Sequence, residues 1–177
     1  LLNQIAAIHG VGTPAVTNSY ESIATVSVGG GGSSSISFSS IPSTYKHLQI
    51  RAALLTTAGG VNIRYNSDTG SNYTYHQLYG TGTSALANAG TSQTSGFIAY
   101  NNAAGSNPTV AIVDILDYEN TNKYTTHRSL AGTDVNGSGG TLTFFSGLWL
   151  NTAAVSSINI IGTFSQYSHF ALYGIKG

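Results

Sequence analysis

The chain has 177 residues, six basic against six acidic side chains, and only 7 % charged residues in all. One domain, or one domain with a tail, fits that length; the zero net charge excludes a phosphate-tracking nucleic-acid binder, and 41 % hydrophobic residues exclude a disordered chain. The longest apolar runs, such as Ala111-Ile112-Val113, fall far short of the roughly 18 residues a membrane helix needs.

Cys and Met are absent, so disulfides, thiolate metal sites and a cysteine nucleophile are excluded and the redox compartment is unreadable. Leu1 need not be the true start. Gly, Ser, Thr, Asn and Tyr dominate instead, a composition suited to an extracellular or particle-bound all-β protein whose solubility rests on hydroxyls and amides.

Residues 1–19 read as an N-terminal arm or docking segment. Leu1, Leu2, Ile5 and Ile8 have helical spacing, but Gly10, Gly12 and Pro14 end it within about two turns. So short an apolar helix is marginal alone in water and needs a neighbour; a frayed terminus is the alternative.

From Tyr20 the period changes to two. The runs Tyr20 to Val28 and Ser35 to Ser39 flank Gly29 to Gly32 and predict a hairpin with a flexible tip. His47 to Thr57 follows, with Leu48, Ile50, Ala52 and Leu54 on one face, and Val61, Ile63 and Tyr65 form the next inward face. Asn66 to Gly70 is turn chemistry. Tyr73 to Tyr79 reads as a strand or a single helical turn, and Gly80 to Thr94 as a long small-residue loop. Further strands are predicted over Gly96 to Tyr100, Thr109 to Tyr118, Lys123 to Ala131, Thr141 to Leu150, Ser157 to Phe164 and His169 to Ile175. About ten short strands over residues 20–177 predict a single β-sandwich, jelly-roll-like, with no helix and no fixed-period repeat.

Little in this chain suits catalysis. The six carboxylates are Glu21, Asp68, Asp114, Asp117, Glu119 and Asp134; Asp114 and Asp117, three apart in a strand, face opposite sides and suit turn capping and ion pairing better than glycoside hydrolysis. His127 and Ser129 share a strand face, but no Gly-x-Ser-x-Gly elbow exists. The five His are scattered singly, and a calcium loop from Asn66, Asp68 and Asn72 would carry one formal charge, so no metal and no cofactor are expected. Trp149 reads as core. Tyr73, Tyr75 and Tyr79 with His76 and Asn72 are the candidate contact residues for a glycan or protein partner, because rings stack on sugar faces while amides bond hydroxyls; core and edge packing is the other reading.

Three segments carry a resemblance. Ile36 to Arg51, Arg64 to Tyr73 and Gln166 to Ile175 resemble, in order, a pattern in structural proteins of tailed bacteriophages, over most of Tyr20 to Gly177. Within the first, Ile36-x-Phe38-x-x-Ile41-Pro42 brings side chains inward, Pro42 ends ladder pairing, and Tyr45 is expected to cover the end of the core. The resemblance implies a place on the virion surface and no catalytic residue. It leaves capsid decoration, head fibre and tail fibre or spike subunit open, with a carbohydrate-binding receptor-recognition module of a phage tail as the alternative. It further implies a homotrimer whose partners are capsid or tail proteins and, for the alternative, a host surface glycan; neither nucleic acid nor membrane is expected.

Overall fold

The computed structural model of the protein describes residues 19–57, 59–101, 107–136 and 139–177. Among them lie twelve strands and no helix, hence none long and apolar enough to cross a membrane. In chain order these are β1 (Tyr20–Ser27), β2 (Ser33–Phe38), β3 (His47–Leu54), β4 (Gly59–Tyr65), β5 (Tyr73–Gly80), β6 (Ala85–Gln93), β7 (Gly96–Asn101), β8 (Thr109–Leu116), β9 (Thr125–Thr133), β10 (Thr141–Trp149), β11 (Ile158–Phe164) and β12 (His169–Ile175). They form two antiparallel sheets: a larger one ordered β1-β12-β3-β8-β9-β10-β5-β6, and a smaller one ordered β2-β11-β4-β7.

The core lies between the sheets and follows the alternation read from the sequence. Leu48, Ile50, Ala52 and Leu54 of β3 point inward beside Val113 and Ile115 of β8 and Phe170 and Leu172 of β12; Ile63 and Tyr65 of β4, with Ile158 and Ile160 of β11, answer them from the smaller sheet. Each of the Leu, Ile, Val and Phe side chains contributes about 1.5–3 kcal/mol through burial. Tyr45 packs on the end of this core as expected, and its hydroxyl donates to Glu21 Oε2 at 2.9 Å.

Two expectations about local structure are corrected. β1 and β2 are not a hairpin: β1 pairs with β12 in the larger sheet, β2 with β11 in the smaller. The four glycines carry the chain from one sheet to the other. Gly32 has φ +68°, and a Cβ there would lie 2.9 Å from the Phe164 carbonyl oxygen, so glycine is required at that crossing. Alternation reports which face a residue occupies and carries no information about the partner strand. The second correction is the segment from Gly80 to Thr94, most of which is β6, with Leu78 opposite Ala87 and His76 opposite Ala89. Its Ala, Gly, Ser and Asn side chains give no β-propensity signal, and backbone pairing with β5 orders it.

The predicted turn at Asn66 to Gly70 is present. Asn66 and Ser67 adopt φ of 50° and 57°. Asn66 Nδ2 donates to the Ala154 carbonyl at 2.8 Å, while its Oδ1 accepts the Ser156 and Ser157 N–H groups at 2.9 and 3.2 Å. One side chain thus fastens two connections more than eighty residues apart in sequence.

Candidate functional site

Along β5 the odd-numbered residues turn toward the smaller sheet and the even-numbered ones toward solvent. Tyr73 has no exposed surface. Its ring lies 6.4 Å from those of Tyr65 and Trp149, and its hydroxyl accepts the Tyr65 N–H at 3.0 Å; burial pushes its pKa up to about 12. Tyr75 packs 4.7 Å from Phe97 and 6.3 Å from Phe145, covering Gly90, where a Cβ would meet its ring at 2.5 Å. The structure therefore does not bring the five candidate contact residues together on one surface. Tyr73 is core, Tyr75 and Tyr79 are half-buried on the inner face, and His76 is exposed on the outer one.

Asn72 and the candidate calcium ligand Asp68 belong to a different construction. Asp68 Oδ2 accepts Trp149 Nε1–H at 2.7 Å and Asn72 Nδ2–H at 2.9 Å, and Oδ1 accepts the Gly70 N–H at 2.8 Å. These donors, the indole first, hold the carboxyl below its ordinary pKa. The carboxylate is spent on the turn and on the one tryptophan, 81 residues away in sequence. Trp149 is buried, as the sequence implies.

His127 and Ser129 do share the inward face of β9, and both are buried. Ser129 Oγ donates to the Ile98 carbonyl. His127 Nε2 lies 3.2 Å from the Phe97 carbonyl and Nδ1 lies 3.0 Å from the Tyr65 hydroxyl. A carbonyl only accepts, so Nε2 carries the proton and Nδ1 accepts from Tyr65. Burial, with Arg128 nearby, pulls the imidazole pKa down to about 4. Gly147 and Gly96 make room for the ring: a Cβ at either would stand 2.1 or 2.6 Å from it. The pair is a satisfied core element with both hydroxyl and imidazole committed to backbone and Tyr65.

Asp117 binds Lys46 Nζ at 2.8 Å and also Lys123 Nζ, and those ammonium groups hold its pKa at about 2. Asp114 accepts Gln49 Nε2–H at 2.7 Å. Asp117 fits the pairing role assigned from sequence, whereas Asp114 bonds a glutamine amide rather than an Arg or Lys. Among the described residues, no three His, Asp or Glu side chains cluster to hold a metal ion. Leu1, Leu2, Ile5 and Ile8 lie outside the described residues.

Sequence reasoning missed the outer face of the larger sheet. Across β8, β9, β10 and β5 hydroxyl side chains enter the interior while large apolar ones stand outside: Thr109, Ser129, Thr133, Thr141 and Thr143 are buried, whereas Val110, Ile112, Leu130, Leu142, Phe144 and Leu78 are exposed. A signal was present in β8, whose Val-Ala-Ile-Val run is apolar at both parities, the mark of a strand covered on both faces. No family model, curated protein or solved structure matches the chain.

Proposed function

We propose that the protein is a non-enzymatic structural subunit on the surface of a tailed-phage particle, a jelly roll that assembles as a homotrimer and docks through residues 1–19. The order of the strands is the observation that carries this reading. Setting β5, β6, β9 and β10 aside, the remaining strands pair first with last: β1 with β12, β2 with β11, β3 with β8 and β4 with β7. A long hairpin rolled into two four-stranded sheets, the plan of jelly rolls in viral shells and lectins, would account for this pairing. The hairpins β5–β6 and β9–β10 are insertions that both extend the larger sheet.

A fold hosts many functions, and the side chains supply the second support. The polar groups that sequence alone offered for chemistry, Asp68, His127, Ser129 and Asp117, are each engaged in holding the fold. Neutral charge and absent thiols suit a subunit that must endure outside a cell.

Antibody-gold labelling of intact particles from the source tests the proposal. Label spread over the shell supports a decoration or head-fibre role, and label confined to the tail supports a fibre or spike. Accessible particles that carry no label would overturn it.

A further inference from the structure

We infer that the outer face of β8, β9, β10, β5 and β6 is the surface through which copies of this chain associate. The inference rests on the oligomer in the function proposed above and names the contact that builds it. The registers place two adjacent rows of side chains across five strands. One row runs Val110, Gly132, Leu142, Gly80, Ala85; the next runs Ile112, Leu130, Phe144, Leu78, Ala87. Neither row contains a charge. Leu78 is 63 % exposed, Leu142 61 %, Val110 55 % and Leu130 51 %, so large aliphatic groups stand in water side by side. Single exposed apolar residues are ordinary, whereas a contiguous patch marks an interaction surface.

Size, charge and shape identify the occupant as a second copy. The third row, Asp114, Arg128, Ser146, His76 and Ala89, is polar, and Asp114 lies directly opposite Arg128. The fourth, Leu116, Thr126, Leu148 and Thr74, is mixed. With strands about 4.8 Å apart and alternate residues about 6.8 Å apart along each, the four rows cover roughly 24 by 27 Å, or about 650 Å² of flat footprint. Projecting side chains make the accessible area larger, which brings the face toward the roughly 800 Å² per partner of a stable interface, with the two apolar rows at one side and the polar and mixed rows beside them.

Asp114 beside Arg128 within the rows, Asp134 in the lining of the first depression and Arg51 opposite Ile112 make two acids and two bases, so the face carries no net charge to repel its copy. The relief offers projections and hollows side by side. In the first row Leu142 stands between Gly132 and Gly80, and Gly132, Gly80, Val110 and Leu142 line one depression; a second depression lies between Leu78 and Phe144. In a ring of three copies the contact is heterologous, so projecting leucines on one part of the face can enter the hollows on another part of the next copy's face.

The test is the mass in solution of the full chain, by light scattering and sedimentation over a wide concentration range. Leu142→Glu and Leu78→Glu are compared with Ser35→Glu, which puts the same charge on the exposed outer side of the smaller sheet. All three positions are on the surface, so circular dichroism and melting should show that each variant folds. The expected result is an oligomeric wild type, an apparent Kd raised at least 100-fold by either leucine variant, and no change from Ser35→Glu. A wild-type oligomer indifferent to both leucine variants would overturn this surface and leave the proposed homotrimer standing. A wild type monomeric at every concentration would overturn both and assign the face to a different protein.

Discussion

Lowering the pH should unfold this protein through His127. The imidazole is buried and neutral, with a pKa of about 4 against 6.5 for an unhindered histidine. Because the folded-state value is depressed, the unfolded chain binds the extra proton first. Stability is therefore complete above pH 6.5 and declines as the pH falls toward 4. The slope within that window approaches about 1.4 kcal/mol per pH unit, and the loss at pH 4 relative to pH 7.5 is about 3 kcal/mol. That is a large part of the 5–15 kcal/mol typical of a domain. Structurally, a proton on Nδ1 would face the Tyr65 hydroxyl, which now donates to it, inside a wall formed by Gly147 and Gly96. Urea unfolding followed by the fluorescence of Trp149, whose ring lies 5.5 Å from that of Tyr65, measures the loss at each pH. The comparison is His127→Gln, which cannot titrate. The variant is expected to be less stable at pH 7.5, and the gap to wild type should close by about 3 kcal/mol at pH 4. Subtracting the two curves removes every carboxylate and surface histidine they share. Parallel stability curves from pH 7.5 to 4 would refute the reasoning.

Three other outcomes follow from the contacts described. Asp68→Ala strips the acceptor from Trp149 Nε1 and the Gly70 N–H and should lower the unfolding free energy by about 2–3 kcal/mol, with a red shift in Trp149 emission; a change under about 0.5 kcal/mol would show that the carboxylate is dispensable. Gly147→Ala drives a methyl to within 2.1 Å of the His127 ring and should destabilise by about 2 kcal/mol or more. Gly29→Ala, where a Cβ meets nothing within 4 Å, should stay within about 0.5 kcal/mol, and equal losses in denaturant melts would contradict the packing argument. Asp117→Asn tolerates the same positive φ of 50° but releases Lys46 and Lys123. With the wild-type carboxyl pKa lowered to about 2, the variant should melt below wild type above pH 4. That difference should disappear as the pH falls through 2, and a melting difference independent of pH would be the contrary result.

The inward faces of β3 and β4 were readable because period-two alternation is a local property. Leu48, Ile50 and Leu54 needed no knowledge of neighbours. What escaped reading was long-range. Nothing within Tyr20 to Phe38 reveals that its two strands pair with residues some 120 to 155 positions later. Likewise, Asp68 reads as a turn residue, or as a weak calcium ligand, until the fold sets Trp149 against it. The tyrosines of β5 misled for a related reason: Tyr is equally suited to a core with one hydrogen-bond partner and to a binding surface, and only burial separates Tyr73 from the exposed role. The outer face was hidden by its inversion. By polarity alone Thr141 and Thr143 would face solvent and Leu142 and Phe144 the core, yet paired hydroxyls such as those of Thr109 and Thr133 satisfy each other inside.

The first-to-last pairing of strands also dictates the order in which the protein can be made. β12 lies between β1 and β3, and β11 lies between β2 and β4, so the final two strands enter the middle of both sheets. During translation β1 and β2 have no neighbour of their own until residues 158–175 have left the ribosome. Until then each sheet is held open as a gap between unpaired edges, an arrangement prone to capture another strand. Closure across so long a stretch of chain is slow, and ribosomes that stall before Ile158 would release chains with both sheets unfinished.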